Sequence, residues 1–207
     1  MDKFVIVIGR QYGAGGRRLG KKLAARLNVP YYDKELINEA ADTLGISKTL
    51  LMKVDEKRPS FLRSLLSFNY GISSAPAPVN SLNAETLYQL QSKVIRSICE
   101  KGSCVIVGRT ADYVIRDHPG LLSIFIHAPE DIRAKVIIDR GEAYSLQQAI
   151  EIARKYDRER ESYYNYFTNR EWGAADNYDL SFNSSKIELD SIVDLIASHL
   201  SKTNNHA

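Results

Sequence analysis

Residues 9–18 read Gly-Arg-Gln-Tyr-Gly-Ala-Gly-Gly-Arg-Arg, and they lie between an apolar run at residues 4–8 and an apolar helical stripe that begins at Leu19. The three glycines in residues 13–16 let the backbone turn through conformations closed to other residues, so that successive N–H groups can point into one concavity. The N-terminus of the following helix adds unpaired donors, which favour an anion. The stretch therefore predicts a phosphate-binding loop, and a plain strand-to-helix turn is the alternative.

The loop matches only part of the P-loop pattern G-x-x-x-x-G-K-[ST]. With Gly15 at the second glycine, Arg10 stands at the first, Gly16 at the lysine and Arg17 at the hydroxyl position. The lysine that grips phosphate and the hydroxyl that binds magnesium are both missing. Arg17 or Arg18 is then the replacement cation, and the alternative is that both arginines are solvated on the first helix. We expect phosphate groups to bind at Gly13, Ala14, Gly15, Gly16, Arg17 and Arg18.

Short apolar runs alternate with helical stripes along the rest of the chain, which is typical of βαβ units. The runs at residues 4–8, 104–107 and 121–126 are rich in branched residues and do not alternate with polar ones, as expected of parallel strands that are covered on both faces. The predicted fold class is therefore α/β, with three layers and a five-stranded parallel sheet. The strands are predicted at residues 4–8, 30–32, 104–107, 121–126 and 178–182.

Three sequence signals predict where helices begin. Pro129 is followed by two acids, which places a helix start near residue 129. The pairs Ser145 with Gln148 and Ser185 with Glu188 have the spacing of capping boxes and predict two further starts.

Composition excludes several classes of protein. The chain has 207 residues and a formal charge of +3, from 28 Lys and Arg against 25 Asp and Glu, which is too balanced for general attraction to nucleic acid or anionic lipid. No apolar run approaches the ~20 residues of a membrane span, and the N-terminus lacks the features of a signal peptide. We therefore expect a cytoplasmic protein with no nucleic-acid or membrane partner.

Cys99 and Cys104 are predicted to be reduced packing residues. No histidine lies in a sequence pattern typical of metal ligands.

Charged residues recur where parallel strands end. Asp33 follows the run at 30–32, and Arg109 follows the run at 104–107, so both are expected at the edge of the sheet where ligands bind. A helix cap is the alternative for Asp33, whereas a fixed guanidinium at Arg109 can grip a phosphate bidentately.

A third group is spaced in three-residue steps on a predicted helix. Arg154, Asp157 and Arg160 lie on or near one helix face, with Arg158 beside them, and an exposed ion-pair ladder is the alternative. The aromatic residues that follow are predicted to pack a helix on the core, in preference to stacking a base. They are Tyr163, Tyr164, Tyr166, Phe167 and Trp172.

The chain resembles the bacterial cytidylate-kinase-like proteins, a divergent branch of the P-loop nucleoside monophosphate kinases. The resemblance spans most of residues 4–200 and rests on four segments: Arg-Gln-Tyr-Gly-Ala-Gly-Gly-Arg at 10–17, Tyr-Asp-Lys-Glu-Leu at 32–36, Val-Ile-Val-Gly-Arg at 105–109, and residues 157–183. It implies a P-loop NTPase fold in one domain over residues 1–207, with a flap at about 45–82 and a helical lid at about 141–172.

The resemblance also implies an activity and site roles. The activity is transfer of a phosphoryl group from ATP, which brings Mg²⁺, to a nucleoside monophosphate, with CMP or dCMP expected. The catalytic candidates are Arg17, Arg18, Arg158 and Arg160, and the acceptor-binding candidates are Asp33, Arg109, Asp112, Arg154 and Asp157. Two alternatives are a nucleotide-binding regulator without turnover and a kinase of another small acceptor. The sequence predicts no oligomeric state.

Overall fold

The computed structural model describes residues 3–33 and 84–203, which form a parallel sheet with helices on both faces. The strands are β1 (Val5–Arg10), β2 (Tyr31–Tyr32), β3 (Cys104–Val107), β4 (Leu121–His127) and β5 (Leu180–Asn183). The helices are α1 (Gly16–Leu27), α2 (Ala84–Lys101), α3 (Ala111–Val114), α4 (Glu130–Asp139), α5 (Leu146–Thr168) and α6 (Leu189–Thr203), with a short 3-10 helix at Ala175–Asn177. The predicted flap at 45–82 lies outside the described residues.

The sheet has five strands in the order β2-β3-β1-β4-β5, and each neighbouring pair is parallel. All five predicted strands are present, which confirms the α/β class. Side chains of β1 alternate between two apolar clusters, with Ile6 and Ile8 on one face and Val5 and Val7 on the other. Because the helices α1 and α6 cover the first face and α2 and α3 the second, the central strand is buried on both sides and the fold has three layers.

Two of the three predicted helix starts are confirmed. Helix α4 begins directly after Pro129, and the Ser145 side chain caps α5 by accepting a hydrogen bond from the Gln148 N–H. The start predicted at Ser185 is wrong. The Ser185 N–H and hydroxyl both donate to the Asn183 side chain, so they close a turn and do not cap a helix. Helix α6 begins four residues later, at Leu189.

Helices α4 and α5 pack on each other around a small apolar cluster of their own, which includes Ala134, Ile137, Ala149 and Ala153. The small side chains let the two helices approach closely, and Tyr12 of the glycine-rich loop packs against the same cluster. The predicted lid range at 141–172 contains α5. The pair of helices therefore lies next to the loop that follows β1.

Further expectations concern cysteines and membrane helices. Cys99 and Cys104 are free and buried in the cluster beneath α2 and α3, as predicted. Across residues 3–33 and 84–203, every helix is too short or too polar to cross a membrane.

Helix α1 approaches the sheet at Gly20, where a Cβ atom would lie 2.7 Å from Val107 Cγ2 and 2.9 Å from Tyr31 Cε2. Gly20→Ala adds up to about 1 kcal/mol of helix propensity but costs roughly 1–3 kcal/mol by overpacking. We expect a net loss near 1 kcal/mol and a melting temperature lower by about 2–4 °C. Thermal unfolding measures this. Gly102→Ala is the matched control, because no atom lies within 4 Å of its Cβ position, and equal melting of the two variants would contradict the prediction.

Candidate active site

The glycine-rich loop connects β1 to α1 at the carboxyl end of the sheet. Gly13 and Gly15 have φ angles of +81° and +89°, and a Cβ on Gly13 would also lie 2.7 Å from the Arg133 carbonyl oxygen. Within the described parts of the chain, the N–H groups of Gly13, Gly15 and Gly16 donate to no protein acceptor. The loop thus presents open backbone donors beside a helix N-terminus, which is the arrangement that binds phosphate.

The loop is fixed by hydrogen bonds to three parts of the fold. The Gln11 N–H donates to the Ile126 carbonyl of β4 at 2.9 Å, and the Ser184 hydroxyl donates to the Ala14 carbonyl at 2.8 Å. The Tyr12 N–H donates to the Asp157 carboxylate at 2.7 Å. These three bonds hold the loop in place and do not use the N–H groups of its glycines.

Asp157 lies at the centre of a buried ionic group that joins α4 and α5 to the loop. Its carboxylate accepts from Arg133 Nη1 at 2.6 Å and from Arg160 Nη1 at 3.4 Å, and Arg133 Nη1 also donates to the Tyr12 carbonyl at 3.0 Å. Burial raises the pKa of Asp157, although the Tyr12 N–H and the two guanidinium groups oppose that rise. The carboxylate therefore depends on these partners to remain ionised.

Arg160 extends from α5 toward the loop. Its Nη1 also donates to the Arg10 carbonyl at 3.3 Å, and its guanidinium lies 5.1 Å from the centre of the Tyr12 ring, which stacks on Tyr156. Burial lowers the pKa of Arg160, and the nearby Asp157 carboxylate opposes this. The predicted catalytic candidate Arg160 is thus placed next to the phosphate loop.

A cavity opens at the carboxyl ends of β1 and β3. Three arginines contribute to its lining: Arg10, Arg109 and Arg160. Four aromatic residues also line the cavity and are called its aromatic wall here: Tyr163, Tyr164, Trp172 and Tyr178. The predicted packing role is confirmed for Phe167, whose ring stacks on that of Tyr88 with centroids 4.3 Å apart, whereas Tyr163, Tyr164 and Trp172 also reach the cavity. A lining that combines guanidinium groups with aromatic rings suits a ligand that has both phosphate and a planar base.

The turn after β3 has an unusual backbone. Gly108, Arg109 and Thr110 have successive φ angles of +78°, +66° and +51°, all in the left-handed region. Non-glycine residues in this region cost of order 1 kcal/mol or more each, and such strain is concentrated at functional sites. The turn brings Arg109 and Thr110 to the cavity, in agreement with the predicted position of Arg109 at the ligand edge.

Asp112, in the short helix that follows, is buried in the cavity wall and accepts a hydrogen bond from the Tyr164 hydroxyl at 2.8 Å. Burial raises the pKa of Asp112, and its hydrogen bonds to Tyr164 and backbone N–H groups lower it by less. The carboxyl group is therefore less acidic than an exposed aspartate. Its predicted contact with the acceptor stays a prediction.

Arg17 was predicted to bind phosphate at the glycine-rich loop and Asp33 to contact the acceptor, and the structure joins the two side chains. Arg17 Nη2 donates to the buried Asp33 carboxylate at 2.8 Å, and the Tyr31 hydroxyl donates to the same oxygen at 3.1 Å. The Arg17 side chain is 56% exposed, so this pair lies at the solvent side of the loop. Burial and the Asp33 carboxylate raise the pKa of Tyr31 to about 12, which keeps its hydroxyl a hydrogen-bond donor.

Neither Arg17 nor Asp33 lines the cavity, and four further catalytic or acceptor-binding candidates also lie outside it. Arg18 and Arg158 are exposed on α1 and α5. Arg154 forms a bidentate pair with Glu130 on the surface, at 2.7 and 2.8 Å, and Asp157 binds Arg133. For the acceptor-binding candidates Arg154 and Asp157, the groups predicted to contact a ligand thus have protein partners here. Their contact with a ligand stays a prediction, as does the catalytic role of Arg18 and Arg158.

Sequence reasoning missed Arg10, which lines the cavity from the end of β1. Burial lowers the pKa of Arg10 well below its ordinary value, and the positive charges of Arg160, Arg109 and Arg17 lower it further. A signal was present in the sequence, since an arginine stood at the position of the first P-loop glycine.

Magnesium has no protein ligand set in the part of the chain that the structure describes. Residues 3–33 and 84–203 contain no cluster of three His, Cys, Asp or Glu that could hold a metal ion. Arg17 stands at the hydroxyl position, and the Asp33 carboxylate beside it already accepts from Arg17 and Tyr31.

Comparison with known proteins identifies a family and a fold. The model of the cytidylate kinase-like family matches residues 5–186. An uncharacterized protein from Eubacterium ventriosum ATCC 27560 has a crystal structure that matches with a TM-score of 0.72 and 26% identity, over 96% of this chain and 99% of that one. No curated protein sequence matches the chain.

More distant solved structures share the fold. Shikimate kinase from Bacteroides thetaiotaomicron matches with a TM-score of 0.55 and 15% identity, over 97% of this chain and 99% of that one. A gluconokinase from Sinorhizobium meliloti 1021 matches with a TM-score of 0.55 and 13% identity, over 99% of this chain and 95% of that one. The chain thus shares the overall fold of these two kinases.

Asp112→Asn tests the electrostatics of the cavity wall. Because burial raises the pKa of Asp112, the protonated form stabilises the fold at low pH, and that contribution is lost as the pH rises through the raised pKa. The amide imitates the protonated form. We expect Asp112→Asn to melt above the parent protein at pH 8, with the difference closing as the pH falls toward 4.

Thermal melting from pH 4 to pH 8 measures this difference. Asp117→Asn, whose parent side chain is 90% exposed, is the matched control and should melt like the parent throughout. A lower melting temperature for Asp112→Asn at pH 8 would show that the ionised carboxylate stabilises the fold.

Proposed function

This chain belongs to the cytidylate kinase-like family, and we propose that it transfers the γ-phosphoryl group of ATP to a nucleoside monophosphate, with CMP or dCMP as the acceptor. It has the P-loop kinase fold, which supports phosphoryl transfer. The observation that carries the proposal is the arginine-lined cavity, which adjoins the open N–H groups of the phosphate loop and has aromatic side chains in its lining.

The donor phosphates bind at the loop in this proposal. The N–H groups of Gly13, Gly15 and Gly16 point into one concavity and donate to phosphate oxygens, and the N-terminus of α1 adds its dipole. Ala14 is buried behind them and holds the loop through its carbonyl bond to Ser184. Arg17 neutralises charge at the outer side of the loop while it is oriented by Asp33.

The acceptor occupies the cavity. Arg109, held by the left-handed turn after β3, binds the phosphate of the monophosphate bidentately. The base lies against the aromatic wall, where Asp112 and Tyr164 offer a carboxyl group and a hydroxyl for hydrogen bonding. A cytosine amino group is a donor that suits the Asp112 carboxylate, which is why CMP or dCMP is the preferred acceptor.

The reaction requires positioning more than covalent help from the protein. An oxygen of the acceptor phosphate forms a bond to the γ-phosphorus while the bond from that phosphorus to the bridging oxygen breaks, and the electron pair stays on the β-phosphate of ADP. Arg160 lies between loop and cavity, so its guanidinium meets the negative charge on the transferring group. Arg158, exposed on the same helix, joins it when nucleotide is bound.

Magnesium enters with ATP in this proposal, bound by phosphate oxygens and water, and it supplies charge neutralisation. Among the described residues, arginines line the cavity, and no cluster of three metal-binding side chains is found.

A nucleotide-binding regulator without turnover is the second candidate. The observation that favours it is the replacement of the P-loop lysine by Gly16 and of the magnesium-binding hydroxyl by Arg17. Binding at the loop does not require either group, whereas rapid transfer commonly uses both.

A coupled assay with ATP and a panel of monophosphates tests the activity, with Arg109→Ala as the diagnostic variant. A hydrogen bond to a charged group contributes roughly 1.5–3 kcal/mol, so we expect kcat/KM for CMP to fall by about 10- to 150-fold. Arg26→Ala is the control, because Arg26 is exposed on α1 and its nearest acid, Asp194, is 3.9 Å away.

Each outcome separates the candidates. Turnover of CMP that survives unchanged in Arg109→Ala would show that Arg109 does not hold the acceptor phosphate. A melting shift with ATP but no turnover with any acceptor would favour the regulator.

A further inference from the structure

Two departures from the P-loop pattern are spatially linked. The pattern has glycine at its first position and lysine at its seventh, whereas this chain has Arg10 and Gly16 at these positions. A Cβ atom on Gly16 would lie 2.6 Å from Arg10 Cβ and 2.8 Å from Arg10 Cγ. The Arg10 side chain therefore crosses the space that a side chain at position 16 would need.

The far end of Arg10 reaches the acceptor side of the cavity. A Cβ on Gly108, at the end of β3, would overlap the Arg10 Nη1 atom, so the guanidinium lies directly on that glycine. The stem of Arg10 is thus at the donor loop and its guanidinium beside Arg109. One side chain therefore extends from the glycine-rich loop to the turn after β3.

The charge of Arg10 has no protein counter-ion in the described ranges. Its guanidinium forms no ion pair with any carboxylate of residues 3–33 and 84–203. Burial lowers its pKa, and the cations around it, Arg160, Arg109 and Arg17, lower it further. A buried cation among other cations is costly unless an anion joins it.

The other candidates for the replacement cation are less well placed. Arg17 is paired with Asp33 and more than half exposed, and Arg18 is exposed on α1. Neither lines the cavity.

We propose that Arg10 is the cation that replaces the P-loop lysine, that it contacts the phosphoryl group in transfer, and that Gly16 is the compensating change that makes room for it. This inference rests on the proposed function, because it names the residue that performs one of its steps. The exchange moves the positive charge from the start of α1 to the end of β1. A lysine at position 16 and an arginine at position 10 are then mutually exclusive.

Four variants test the exchange: Arg10→Gln, Arg10→Gly, Gly16→Lys and the double variant Arg10→Gly with Gly16→Lys. With ATP and the best acceptor, we expect Arg10→Gln to lower kcat at least 100-fold. Gly16→Lys should lose activity through its overlap with Arg10. The double variant, which restores the usual pattern, should be at least 10-fold more active than Arg10→Gly. If the double variant is less active than either Arg10→Gly or Gly16→Lys alone, the proposed exchange is wrong.

Thermal melting separates this role from a structural one. Without ligand, Arg10→Gln should melt at or above the temperature of the parent protein, because it removes a repelled charge but keeps the stem on Gly16. In the presence of tripolyphosphate, the parent protein should gain melting temperature and Arg10→Gln should gain much less. A lower melting temperature without ligand, together with an unchanged tripolyphosphate shift, would show that Arg10 serves packing only. Arg26→Ala should match the parent in both measurements.

The binding measurement keeps the two proposals distinguishable. If no acceptor is phosphorylated but tripolyphosphate stabilises the parent and not Arg10→Gln, the kinase activity fails and the phosphate role of Arg10 holds. If CMP is phosphorylated equally by the parent and Arg10→Gln, the activity holds and the role of Arg10 fails.

Discussion

The Asp157 carboxylate is the link on which the site depends. It accepts the Tyr12 N–H of the phosphate loop and two guanidinium groups, from Arg133 of α4 and Arg160 of α5. These bonds fix the loop, the helix pair and the cavity wall relative to one another. Burial raises the pKa of Asp157, whereas the Tyr12 N–H and the two guanidinium groups lower it. The ionised carboxylate is therefore stabilised by these partners. Its role is therefore one of position, which explains why it faces the loop and not the cavity.

The cavity next to Asp157 is lined by three positively charged arginines. Arg10, Arg109 and Arg160 meet there, although they are distant in the sequence, because β1 and β3 are adjacent and end at the same edge of the sheet. Parallel strands converge their carboxyl ends by construction, and α5 delivers the third arginine from the other side. Folding therefore brings together three arginines whose charges repel one another. The glycines at 16 and 108 supply the space that this gathering needs.

Much of the fold could be predicted from the sequence because its signals are local. Unbroken runs of branched residues predicted the three central strands β1, β3 and β4, and Pro129 and Ser145 predicted two helix starts. The start at Ser185 failed because a nearer acceptor, the Asn183 side chain, binds the Ser185 N–H that a capping box would pair with the Glu188 side chain. A capping-box spacing predicts which hydrogen bonds can form but does not take other nearby acceptors into account.

The site was less predictable because it depends on angles and on distant contacts. Three-residue steps on a helix fall 60° short of a full turn each time, so Arg154 and Arg160 point about 120° apart. Arg154 accordingly meets Glu130 on the surface while Arg160 reaches the cavity. Arg10 was not predicted as a site residue because the loop pattern compares one position at a time. The contact between Arg10 and Gly16 becomes visible only in the structure.

Trp172 gives the aromatic wall a practical consequence. It is the single tryptophan of the chain, it lines the cavity, and its indole meets the Phe125 ring edge-to-face with centroids 5.3 Å apart. Indole emission excited away from the tyrosine band therefore originates from one site only. The protein carries its own fluorescent reporter at the cavity, and stopped-flow spectroscopy can follow occupancy there in real time without an attached dye.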